Sequence, residues 1–309
     1  MKTVLVTGAG GFVCSQLVLA FAKAGFSPIA VDREFDTANA ARLTDVRCET
    51  GSLQEVLRRI GDIQPLFVIH GAALTTSPAE LGLSAAAHLA RNTDLLTAAL
   101  AFARKVGAKR FLFLSSMAVY TPHPGDAPAG GRLTEDEPAT GSIPYAAAKR
   151  AGEVITEAAA EPGFETLSLR LGNVFGPFEA RRDSRQTPSL VTRMREAAGS
   201  TGTIHVETPD AVREWCWLPD LADLIAALMS SAVPVRGRVL HAGDPPTIRD
   251  IDLAELISAR TYTARLSVDP KPHPPVRPPM GSARESVFNN AAWTPIEAAL
   301  DELLGEAVI

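Results

Sequence analysis

The chain has 309 residues, 46% of them hydrophobic and 21% charged, an ordinary globular balance with room for one large domain or two unequal ones. A formal net charge of -5 gives no electrostatic reason to bind nucleic acid or an anionic membrane. Cys14, Cys48 and Cys216 are too scattered for a disulfide framework or a metal cluster, and no stretch is long and apolar enough for a leader or a membrane span, so a reducing, cytoplasmic setting is expected.

Lys2 to Val6 reads as a short buried strand, Gly8 to Gly11 as a glycine-rich turn, and Gln16 to Ala24 as a helix. Strand, turn and helix in that order form a cradle for a dinucleotide pyrophosphate. Glycine admits positive φ and close approach of the backbone, and the helix start presents free N–H groups to phosphate. Gly8, Gly10, Gly11, Phe12 and Val13 are the candidate contacts.

Ser27 to Val31 is a second strand, ending at Asp32 about twenty residues after the turn, where an acid accepts from the adenosine ribose hydroxyls. Asp32 favours NAD because its charge repels a 2′-phosphate; Arg33 beside it leaves NADP open. Thr44 to Cys48 is a third strand, Gly51 to Ile60 a helix capped by Ser52, and Leu66 to Ile69 a fourth strand ending in His70-Gly71-Ala72-Ala73. The small Ala72 and Ala73 leave room for a cofactor across the strand end. Ala85 to Val106 is a long helix containing Asn92, and Arg110 to Leu114 a fifth strand ending in Ser115-Ser116. Strands alternating with helices mean a parallel, doubly wound α/β sheet that binds ligands beyond its carboxyl edge.

Thr121 to Pro144 reads as a long loop, Tyr145 to Ala160 as a helix and Thr166 to Leu171 as a sixth strand. Beyond it come an Arg-rich polar loop (Phe178 to Pro188), helices over Leu190 to Ala198 and Leu218 to Met229, and short strands at Thr203 to Val206 and Arg238 to His241. Pro270 to Pro279 holds six prolines and cannot be regular; Ile296 to Leu304 is a closing amphipathic helix.

Tyr145 and Lys149, four apart, share one helix face, so an ammonium lies near a phenol and is expected to lower its pKa. Ser116, at a strand end, is placed to hydrogen-bond the substrate oxygen that the tyrosine protonates or deprotonates. His70 and His241 end apolar runs and read as satisfied core histidines, and the other four histidines lack metal-ligand spacing, so no metal is expected.

The chain resembles the extended short-chain dehydrogenase/reductase family, the NAD-dependent epimerases and dehydratases. The likeness rests on Thr7-Gly8-Ala9-Gly10-Gly11-Phe12, His70-Gly71-Ala72-Ala73, Asn92, Ser115-Ser116-Met117-Ala118-Val119-Tyr120, Pro144-Tyr145-Ala146-Ala147-Ala148-Lys149, Arg170 to Pro177 and Arg213 to Ala222. It implies a Rossmann-type sheet with a smaller C-terminal α+β substrate domain. The expected division is 1–172 plus about 207–243 for cofactor, and 173–206 plus 244–309 for substrate. It also implies that Tyr145 is the acid/base, Lys149 its partner, Ser116 the orienting hydroxyl and Asn92 part of the cofactor site.

Three departures stand out. Cys14 replaces the family's third glycine, so its side chain is expected to push the helix or tilt the cofactor. Met117-Ala118 stands where water-eliminating members carry Asp-Glu; neither residue moves a proton, which argues against a 4,6-dehydratase. Glu207-Thr208-Pro209-Asp210 replaces a Gly-Asp-Gly turn. By the resemblance Asn173, Arg213 and Arg277 hold a sugar diphosphate, with Thr75, Ser116 and Met117 beside the sugar; guanidinium forks suit a carboxylate equally well. Arg213 paired with Asp220 or Glu207, and Arg277 in solvent, is the alternative placement.

The expected activity is hydride transfer at a secondary alcohol carbon of a sugar-type substrate, with a nucleotide-sugar epimerase ahead of a dehydrogenase or reductase of a small sugar acid, hydroxy acid or ketone. A non-catalytic NAD(P)-binding regulator is the third reading, disfavoured by the intact Ser116, Tyr145 and Lys149. The resemblance also implies a homodimer through helices 89–106 and 145–160.

Overall fold

The computed structural model describes residues 2–121, 131–261, 264–273, 275–284 and 292–305. Part of the expected loop, at 122–130, and Pro274 of the proline stretch lie outside the described residues.

Strands β1 (Thr3–Thr7) and β2 (Ser27–Asp32) flank helix α1 (Phe12–Lys23); α2 (Thr37–Arg42), β3 (Arg47–Thr50), α3 (Leu53–Arg59) and β4 (Phe67–His70) follow. Next come α4 (Ala85–Lys105), β5 (Arg110–Ser116), a 3-10 turn at Met117–Val119, α5 (Pro144–Ala158), β6 (Glu165–Leu171) and β7 (Asn173–Phe175). The chain continues through α6 (Leu190–Thr201), β8 (Thr203–Val206), β9 (Val212–Trp217), α7 (Leu218–Ser230) and β10 (Arg238–His241). It closes with β11 (Thr247–Arg249), α8 (Asp250–Arg260), β12 (Arg265–Val268) and α9 (Ile296–Gly305).

Seven parallel strands form the main sheet in the order β3-β2-β1-β4-β5-β6-β10, a doubly wound topology. The central strands β1, β4 and β5 are largely apolar runs because both faces are covered, whereas the edge strand β3, Arg-Cys-Glu-Thr, is mostly exposed. Leu17, Val18 and Phe21 of α1 share one core with Leu221 and Ile225 of α7; Val56 of α3 and Leu96 and Ala99 of α4 build the other. Helix α5 lies close on β5 because Gly152 has no side chain: a Cβ there would stand 2.5 Å from the Phe113 ring. That close approach sets Tyr145 and Lys149 over the carboxyl end of β5.

Of the 207–243 stretch expected with the main sheet, α7 and β10 pack there. Strand β9 instead lies between β7 and β11 in a three-stranded sheet. Its Trp215 and Trp217 pack against Phe175 in a third core shared with α6, α8 and α9, which a sheet-edge position would leave in water. Helix α1 begins at Phe12, four residues before the expected Gln16, because Gly11 already serves as its N-cap.

Candidate active site

Thr7, Asp32, His70, Ser116 and Leu171 end neighbouring parallel strands, and a cavity of about 820 Å³ opens beyond them. Gly8, Gly11, Phe12, Val13, Asp32, Arg33, Ala72, Ala73, Thr75, Ser116, Met117, Tyr145 and Lys149 all line it. The lining fits a dinucleotide. Gly8 holds φ at 73°, and a Cβ there would meet the Ala72 nitrogen at 2.7 Å. Gly11 caps α1 without a side-chain hydrogen bond, so the first amides of the helix keep their donors for a phosphate. Asp32 Oδ2 accepts from the Gly10 amide at 2.8 Å, fixing the acid against the turn.

Gly10 and Asn92 stand behind this wall rather than on it. The Cα of Gly10 faces the Glu34 carbonyl and Arg182, with no room for a Cβ. Asn92 Oδ1 accepts from the Leu74 amide at 2.9 Å and its Nδ2 donates to the Leu74 carbonyl at 3.3 Å, so it pins the loop that carries Ala72 and Ala73. Cys14, the departure from the third glycine, is accommodated: its Sγ fills the space that a Cβ on Gly71 would need. The volume missing at one position is returned at the other. Burial pushes the Cys14 thiol up to about 12, so it stays a neutral packing group.

The Ser116 hydroxyl lies close enough to the Tyr145 hydroxyl to favour its ionised form. The expected lowering of the phenol by Lys149 is not what the geometry produces. Burial dominates and raises Tyr145, opposed by the Ser116 hydroxyl and the charge of Arg185. The Lys149 ammonium donates to the Leu114 carbonyl at 2.6 Å and lies 5.6 Å from the centre of the Tyr145 ring, with burial bringing its own pKa down to about 8. The phenol is therefore held protonated, beside a lysine that is still largely charged at neutral pH. His70 is half satisfied: Nδ1 bonds Thr7 Oγ1 at 2.8 Å, whereas buried Nε2 has no partner, and burial lowers its pKa to about 3. His241 has both ring nitrogens engaged, with the Tyr120 hydroxyl and the Gly281 carbonyl.

A second cavity, about 510 Å³, shares Met117, Gly172, Val174 and Arg185 with the first and extends over Asn173, Arg193, His205 and Arg213. Neither expected arginine pairing occurs. Arg213 is bound to Asp250 at 2.8 Å rather than to Asp220 or Glu207. Arg277 is not in solvent and lines neither cavity; it is buried against Glu214 and donates to Met117 Sδ. Glu214, fully buried, claims it, because a buried carboxylate needs a charged donor. Besides Arg33, Arg91, Lys149 and Arg182 on the first cavity and the paired Arg213 on the second, Arg185 of the Arg-rich loop and Arg193 of the helix after it face the joined cavities. The unusual length of that loop, placed just past a strand end, was the signal for them. Among the described residues no group of histidines, cysteines and acids could hold a metal ion, and no helix is long and apolar enough to cross a membrane.

Known proteins share this fold. The chain is 25% identical to a UDP-glucose 4-epimerase of Azospirillum brasilense over 99% of its length and 90% of that protein's. A UDP-glucose 4-epimerase of Thermotoga maritima, solved with UDP-glucose, superposes with a TM-score of 0.80 at 22% identity over 98% of both chains. The Thermus thermophilus UDP-glucose 4-epimerase, solved with NAD, gives 0.77 at 20% identity over the whole of both chains. At these identities the solved structures speak for the Rossmann fold alone. Residues 4–243, from the first strand through the last strand of the main sheet, match the NAD dependent epimerase/dehydratase family, and with that span the chain belongs to it, NAD being its cofactor.

Proposed function

We propose that this protein is a nucleotide-sugar epimerase in type, acting at a secondary alcohol carbon. One observation carries the reading: Ser116, Tyr145 and Lys149 meet on the cofactor cavity, and that cavity runs into a second one past Met117 and Arg185. Bound NAD supplies the hydride chemistry. Tyr145 moves the proton on the substrate oxygen, Ser116 orients that oxygen, and Lys149 holds positive charge beside them. The half-buried, protonated phenol is ready to return a proton to a ketone. The absence of any acid at Met117-Ala118 agrees with epimerisation rather than loss of water. Helix α5 leaves Val154 66% exposed, which supports a homodimer through α4 and α5.

A second reading, net dehydrogenation of a sugar acid, draws on Arg185, whose charge reaches Tyr145 from the shared wall of the cavities. The two readings part in a panel of UDP-, GDP- and dTDP-sugars and free sugar acids: an epimerase interconverts sugars without net NADH, a dehydrogenase accumulates it. Tyr145→Phe should lower kcat by about 10²–10⁴-fold on the responding substrate while NADH still binds. Full activity in that variant removes the acid/base assignment.

A further inference from the structure

The loop between β7 and α6 crosses the cofactor cavity from wall to wall. Phe178, with φ at 62°, turns the chain, and its ring lies 4.0 Å from the guanidinium of Arg42 on α2. Arg182 then donates to the Gly10 carbonyl in the glycine turn and, at 2.8 Å, to the Glu34 carbonyl beyond Asp32. On the opposite wall the Ser184 carbonyl accepts from the Thr75 amide at 2.9 Å, the Thr75 hydroxyl at 2.7 Å and the Thr76 amide at 3.1 Å, and the Asp183 carbonyl accepts from the Thr76 hydroxyl at 2.9 Å. Paired backbone hydrogen bonds between Arg182 and Arg185 make the span between the two anchors a tight hairpin. The far end is fixed too: buried Glu179 accepts from the Ser189 amide and hydroxyl, the Thr192 hydroxyl and Arg185. Arg182 and Ser184 line the same cavity as Gly11, Asp32 and Tyr145.

We propose that residues 178–188 form a strap that encloses the bound cofactor, with Arg182 as its latch, so that the same NAD molecule stays in place through repeated turnovers. The strap rests on the reading of a redox cycle that closes within one active site, where a cofactor gains nothing by leaving. Its anchors are chiefly backbone carbonyls on both sides of the cleft, so it opens only when the Arg182 end or the Thr75–Thr76 end lets go. Arg182 is thereby a positioning residue: it touches neither the acid/base nor the orienting hydroxyl.

The test measures release rather than turnover. Protein loaded with NADH is mixed with excess NAD, and the loss of NADH fluorescence is followed for the parent, Arg182→Gln and Thr76→Val. Removing a charged donor from two carbonyls should speed release by about tenfold or more, and Thr76→Val should shift it in the same direction by less. Thr76→Val removes one hydroxyl bond and decides the matter alone should Arg182→Gln fail to fold. Release within about twofold of the parent in every folded variant overturns the strap and leaves the cofactor reading intact. A parent protein that takes up no NADH overturns the cofactor reading and the strap together.

Discussion

The two cavities differ at their anion-binding ends. Around its glycine turn the cofactor cleft presents backbone and small side chains: Gly8, Gly11, Ala72, Ala73 and a helix start whose first amides are free. The second cavity presents charged side chains, and the protein has already matched several of them internally, Arg213 with Asp250 and Arg185 with Glu179. A pyrophosphate cradle depends on local chain conformation, which a dozen consecutive residues determine. A charged pocket depends on which acid arrives from elsewhere, and Asp250 stands thirty-seven positions from Arg213. The difference teaches that arginines near a substrate site count for little until their partners are known.

The largest effect belongs to the joint between the two halves. Glu214 accepts from the Met280 amide at 3.1 Å and pairs with Arg277, and it occupies the space that a Cβ on Gly172 would take. Glu214→Gln keeps the shape and strands a guanidinium whose side chain is only 9% exposed. Breaking one partner of such a pair should cost about 3–5 kcal/mol, read as a lowered urea midpoint at unchanged slope. Pairing it with Arg277→Met should recover part of that loss, because no lone buried charge then remains. A single variant as stable as the parent would show the pair to be solvated, and Arg277 would return as a candidate for substrate.

On the cofactor side the corresponding test is one of volume. Gly71→Ala drives a methyl into Cys14 Sγ and should destabilise the fold by about 1–3 kcal/mol and weaken NADH binding. In a Cys14→Gly background the same change should cost much less, giving a double-mutant coupling well above the few tenths expected of independent sites. Additive losses would mean that the two positions do not exchange space and that Cys14 is accommodated by some other shift.

These cases mark how far the sequence could be read. The main sheet was legible because its central strands are runs of apolar residues ending in a small or polar group, and the order of strands and helices dictates parallel winding; the polar edge strand β3, expected at Thr44 to Cys48, lies at Arg47–Thr50. Ser116, Tyr145 and Lys149 were legible because helical spacing and a strand end place them together. Strand β9 was read as a strand with core tryptophans, but not which sheet it joins, since both offer it an apolar face. Glu214 alternates with Cys216 on the face opposite Trp215, so a buried acid was readable there; its claim on Arg277, sixty-three residues away, was not. The role of the 178–188 loop was hidden for the same reason: Arg182 reaches the Gly10 carbonyl across 172 residues, and nothing in the loop's own composition names that partner.

The mildest change probes how the local half chooses its ligand. Asp32 Oδ2 accepts from the Gly10 amide and Oδ1 from the Arg33 amide, so the carboxylate is held by the backbone at the cavity wall, with the Arg33 side chain beside it. Asp32→Asn keeps an oxygen for the Gly10 amide and removes only the charge. With the repulsion of a 2′-phosphate gone and Arg33 free to meet it, affinity for NADPH relative to NADH should rise about tenfold, read by fluorescence titration of both. An unchanged ratio would separate holding from choosing: Asp32 would then serve only to shape the glycine turn, and the preference for NAD would have to come from the part of the wall formed by Gly51 to Gln54, where no charge is available to repel a phosphate.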